Sequence, residues 1–87
     1  MLKIQFTPEF KDDYKAAVDR GFNVFQFQEA VTYLINGLSL PDKFNRRPYT
    51  DVSSAQDMFT CLIEPNNQIV YRITPTTVIL RGIRNNR

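Results

Sequence analysis

Leu2, Ile4 and Phe6 alternate with Lys3 and Gln5, a two-residue period that predicts a half-buried strand. Thr7-Pro8-Glu9 then reads as a helix start: a capping hydroxyl, a proline at the first helical position, and an acid in the first turn. Phe10, Tyr14, Ala17 and Val18 recur at three- and four-residue steps until Gly21 stops the helix. A second helical stripe, Phe25, Phe27, Val31, Leu34 and Ile35, ends at Asn36-Gly37. Both stripes are wide enough to face each other and a sheet, which predicts an αα-hairpin. Residues 38–55 show no period. They hold Pro41, Pro48 and Asn45-Arg46-Arg47, and a loop of this length in a small domain is functional or mobile. Three strands are expected next, at about 58–64, 68–74 and 76–83, with turn chemistry at Pro65-Asn66-Asn67 and Pro75-Thr76. The expected fold class is α+β, in the order β-α-α-β-β-β, with the last three strands in an antiparallel meander.

The length of 87 residues leaves room for one core, so 1–87 is expected to be a single domain. A composition of 43% hydrophobic and 23% charged residues is that of a folded soluble chain, not a disordered or collagen-like one. Apolar runs such as Val78-Ile79-Leu80 are far shorter than the roughly 20 residues that span a bilayer. The first residues lack the apolar stretch of about 7–15 that marks a secretory signal. Cys61 is alone and makes no internal disulfide. A cytoplasmic setting with no membrane partner is the expectation.

Charge changes the picture more. The net charge is only +2, but residues 1–43 carry five Lys/Arg against six Asp/Glu, and residues 44–87 carry six Arg against three Asp/Glu. From Phe44 onward every cation is an arginine: Arg46, Arg47, Arg72, Arg81, Arg84 and Arg87. Such asymmetry predicts one basic face, with nucleic acid as the first candidate partner. There is no histidine, which removes the commonest general acid–base and the commonest metal ligand. Without it, Ser/His and Cys/His nucleophile pairs are excluded, and three scattered glycines make no phosphate loop. No metal or other cofactor is expected. Asp12-Asp13 lies on the side of the first helix that its pattern exposes, and reads as a solvated pair.

What remains is arginine chemistry, since a guanidinium stays charged and offers a planar fork that fits phosphate oxygens. Lys43, Arg46 and Arg47, with Tyr49 able to stack on a base, make the loop a candidate RNA-binding segment. Arg81 and Arg84 near the end of the last strand would reach the same surface if the loop folds over the sheet, and Arg87 closes the chain.

The order of elements and several segments resemble the RelE superfamily of bacterial toxins, and its YafQ-type branch most. The resemblance runs from Phe10-Lys11-Asp12-Asp13-Tyr14 through Leu38-Ser39-Leu40-Pro41 to Val78-Ile79-Leu80-Arg81. Its sharpest part is Cys61-Leu62-Ile63-Glu64-Pro65-Asn66-Asn67-Gln68-Ile69-Val70-Tyr71-Arg72-Ile73, a strand, a proline turn and a second strand. Where that branch carries titratable groups, this chain has Arg47 before Pro48, Leu62 in the strand, Asn66 in the turn, and Asn85 or Asn86 near the end. The resemblance implies a toxin of a type II toxin–antitoxin pair, a ribosome-dependent mRNA interferase whose partners are a cognate antitoxin, the ribosome and mRNA. It implies phosphate-holding catalysis by Arg47, Arg81 and Arg84, with Lys43, Arg46, Tyr49, Asn66 and Arg87 binding RNA. The missing acid–base groups leave a second expectation open: a RelE-fold binding protein, of RNA or of another protein, without nuclease chemistry.

Overall fold

Helix caps and strand periods act where the sequence predicts them. The computed structural model describes residues 1–48, 58–64 and 66–85. Strand β1 is Lys3–Phe6, and helix α1 is Pro8–Asp19. The hydroxyl of Thr7 caps α1 by accepting from the Phe10 amide at 3.1 Å. Helix α2, Val24–Ile35, is capped in the same way by Asn23, whose side-chain oxygen accepts from the Gln26 amide at 3.0 Å. Gly21 (φ 91°) and Gly37 (φ 68°) take the left-handed conformation that ends each helix, a backbone state costly to other residues.

Residues 38–48 are more regular than their composition predicts. A short 3₁₀ turn, Asp42–Phe44, drives Phe44 into the core at 0% exposure, and Arg47–Pro48 forms a two-residue strand, β2. Burial of one aromatic ring outweighs the absence of a sequence period. Tyr49 and the rest of the expected loop to residue 55 lie outside the described residues. Strands β3 (Met58–Ile63), β4 (Asn67–Ile73) and β5 (Thr77–Asn85) form the expected antiparallel meander. β4 stops at Ile73 because the Thr74 hydroxyl accepts from the Thr77 amide at 3.0 Å, which closes the turn.

The five strands lie in the order β1-β5-β4-β3-β2, with β1 parallel to β5 and the others antiparallel. Both helices cover one face. Phe10, Ala17, Phe27, Ala30 and Leu34 from the helices meet Cys61, Ile63, Ile69, Tyr71, Val78, Leu80 and Ile83 from the sheet. Phe10, Tyr14, Phe22 and Phe27 pack with ring centroids 5.5–6.0 Å apart, the range in which tilted and edge-on rings attract. The opposite, outer face of the sheet carries the alternate positions: Thr60, Leu62, Gln68, Val70, Arg72, Ile79, Gly82 and Arg84.

Candidate nucleic-acid interface

Strand alternation decides which arginines share a surface. Ile69, Tyr71 and Ile73 face the helices, so Gln68, Val70 and Arg72 face outward. Register carries this across the sheet. One outer row runs Arg47, Thr60, Val70, Gly82; the next runs Leu62, Gln68, Arg84; on the other side lies Met58, Arg72, Ile79. Arg47, Arg72 and Arg84 therefore stand on one outer face, all exposed. Arg47 and Arg84 are separated by three strand spacings, about 14 Å across the sheet at roughly 4.8 Å each. Arg47–Pro48 joins the β3 edge, so on this face Arg47 and Arg84 stand on strands with β3 and β4 between them.

Arg46 and Arg47 are neighbours in sequence and part company in space. Arg46 turns to the helix side, where its guanidinium carbon lies 4.2 Å from the Phe59 ring centroid, a cation–π contact. Lys43 is likewise engaged away from the outer face: its ammonium is 3.0 Å from Glu29 on α2. That ion pair is half exposed, so it contributes at most about 1 kcal/mol. Asn66 is exposed in the β3–β4 turn, at the same end of the sheet as Arg84. Asn85 ends β5 opposite Asn67. Arg87, Asn86 and Tyr49 lie outside the described residues.

Arg81 occupies an irregularity. Val70 pairs with Gly82 and Tyr71 with Leu80, so Arg81 is the extra residue of a β-bulge. β1 ends at Phe6, opposite Leu80, and among the described residues no strand pairs with the rest of this edge of β5. The start of α1 takes over. The Thr7 amide donates to the Leu80 carbonyl at 3.1 Å, and the Thr7 hydroxyl to the Arg81 carbonyl at 3.1 Å. The Asp13 carboxylate then accepts from the Ile83 amide at 3.0 Å. Asp13 is thus half-buried and bound to β5, not the solvated residue its helical position predicts. Glu9, Asp13, Arg81 and Arg84 line a recess of about 180 Å³ at this edge.

Two candidates, Arg72 and Asp13, are not among the expected site residues. Arg72 was marked by the alternation of β4, which sets it opposite Ile69, Tyr71 and Ile73. Asp13 carried no such signal, because its partner is 70 residues away in sequence.

Acid–base chemistry is scarce on this surface. Burial pushes the Cys61 thiol up to about 12, so it stays protonated at neutral pH. Burial likewise raises Tyr71 to about 12, with the nearby Cys61 adding to the rise and Arg46 offsetting part of it by its charge and polar approach. The Tyr71 hydroxyl is buried without a hydrogen-bond partner at good geometry, and faces the helix side. Among the described residues, no group of three or more His, Cys, Asp or Glu comes together to hold a metal ion. No helix among them is long and apolar enough to cross a membrane.

No protein-family profile matches the chain, and no curated protein matches it. Solved structures do. YafQ in the E. coli DinJ–YafQ complex matches with a TM-score of 0.86 and 23% identity, over 98% of this chain and 93% of that one. A metal-bound toxin from Helicobacter pylori matches with a TM-score of 0.85 and 25% identity, over 98% and 94%. YafQ from E. coli gives a TM-score of 0.82 at 23% identity, over 98% and 93%. The five-stranded sheet under two helices is the fold seen in these YafQ and H. pylori toxin structures.

Proposed function

We propose that this chain is the toxin of a toxin–antitoxin pair and acts in the cytoplasm as a ribosome-dependent mRNA interferase. The carrying observation is the outer sheet face, where Arg47, Arg72 and Arg84 stand exposed on a YafQ-like fold. Their spread suits several phosphates along an RNA strand in the ribosome rather than one isolated anion. An antitoxin is the expected protein partner, since the similar E. coli structure is a DinJ–YafQ complex.

The chemistry asks little of proton transfer. As the ribose 2′-oxygen bonds to phosphorus, the bond to the 5′-oxygen breaks; water takes the 2′ proton and protonates the leaving oxygen. Arg47 and Arg84 hold the strand and Arg81, at the bulge, stabilises charge on the phosphoryl oxygens. General acid–base assistance is worth about 10²–10⁴-fold, so an enzyme without it is slow yet sufficient for a toxin.

The second reading, a binding protein without nuclease activity, is favoured by Leu62 and Asn66, which cannot carry a proton at neutral pH. Cell-free translation of a reporter mRNA, with primer extension for new 5′ ends, separates the two. New ends only on translating ribosomes are expected. Intact mRNA in the presence of folded protein would leave the binding role, and a partner retained after RNA digestion would make that partner a protein.

A further inference from the structure

We infer that Asp13 is a positioning residue for RNA engagement: it fixes the bulged end of β5 and thereby aims Arg81 and Arg84. This rests on the outer face being the RNA surface. Three observations converge on it. Arg81 is the bulged residue, and bulges re-aim the side chains beside them. Among the described residues the edge of β5 beyond Leu80 has no strand partner, and the Ile83 amide donates instead to the Asp13 carboxylate at 3.0 Å. Gly82 eases the approach, because a Cβ there would stand 3.2 Å from the same carboxylate oxygen, a tight contact that the side chain would have to relieve by a few tenths of an ångström. Bulge, glycine and carboxylate are one device. It clamps β5 between the two arginines, with Arg81 on one side of Gly82-Ile83 and Arg84 on the other.

A simpler account gives Asp13 only its negative charge, lining a recess with Arg81 and Arg84. The two accounts make opposite predictions for an amide, which keeps the acceptor and loses the charge. Under the positioning account Asp13→Asn behaves like the wild type and Asp13→Ala does not.

The test is binding of a short single-stranded RNA across a salt series, with Ile83 amide exchange followed by NMR on the same proteins. Asp13→Ala is expected to weaken RNA binding about tenfold, as for a charged hydrogen bond lost. It should flatten the salt slope by about 0.7, one phosphate contact on a single strand, and speed Ile83 exchange. Asp13→Asn restores all three. Equal affinities for wild type and Asp13→Ala, with Ile83 exchange faster in the variant, would overturn the inference and leave the RNA reading standing. Equal losses in the Ala and Asn variants would overturn it in favour of a charge role. Wild-type protein that binds no RNA would remove the RNA reading and this inference with it. Gly82→Ala keeps the proposal falsifiable should Asp13→Ala unfold: it should crowd the carboxylate and weaken RNA binding, and unchanged affinity would count against the device.

Discussion

The two faces of the sheet use the same strands and opposite physics. On the helix side, Tyr71, Leu80, Val78 and Ile63 are wholly buried, and burial holds Cys61 and Tyr71 neutral. On the outer side, at alternate positions of β2, β4 and β5, sit arginines that never lose their charge. Alternation is thus what separates the buried core from the proposed RNA face in this chain. Each register step turns a position from the helix side to the outer face, and the basic segment Arg46-Arg47 contributes one residue to each.

The sharpest way to break the contrast is to remove a core ring. Phe44→Ala is expected to cost about 3–5 kcal/mol, the range for a buried phenylalanine truncated to leave a cavity. Denaturant unfolding monitored by circular dichroism would show it, and a loss below about 1 kcal/mol would mean that the 3₁₀ turn is not part of the core. The outer face should respond in the reverse sense. Arg84→Ala and Arg47→Ala are each expected to lower mRNA cleavage by about 10²-fold, near 2.7 kcal/mol of transition-state stabilisation. Their unfolding midpoints should stay within about 0.5 kcal/mol of the wild type. Undiminished cleavage in both would move the site off this face.

The gentlest probe is alkaline pH, compared between wild type and Cys61→Ala so that groups common to both cancel. Cys61 titrates at about 12 in the folded protein against 9.0 for an unburied thiol. A raised folded pKa favours the folded state fully below pH 9, and that advantage is lost as the pH climbs from 9 towards 12. By pH 10 the loss is about 1 kcal/mol. Urea midpoints between pH 8 and 10.5 should therefore fall in the wild type and fall less in Cys61→Ala. Parallel curves would place the thiol in contact with solvent.

Local patterns carried the two helices and the three-strand meander because caps, apolar stripes and proline turns act within a few residues of themselves. Thr7-Pro8 starts α1 and Gly21 ends the capped segment wherever the helix later packs. The same patterns missed β2, whose two residues become a strand only because Arg47 and Pro48 meet Thr60 and Phe59. They also misread Asp13, since a carboxylate on an exposed helical position is indistinguishable from a solvated one until Ile83 is beside it. For the site, the sequence marked arginine as the chemistry and named Arg47, Arg81 and Arg84; it had no means of assigning them to a face.

By itself, then, the sequence determined the kinds of element, their order, the shortage of proton-transfer groups and the permanent positive charge of the second half. These follow from side-chain chemistry and short-range spacing. The tertiary structure alone decided that β1 lies parallel to β5, that Arg81 bulges, that Arg46 and Arg47 diverge and that Asp13 closes an open strand edge. Each of those is a pairing between residues far apart in the chain. Its free energy comes from burying surface and satisfying backbone groups that meet only when the whole sheet is assembled.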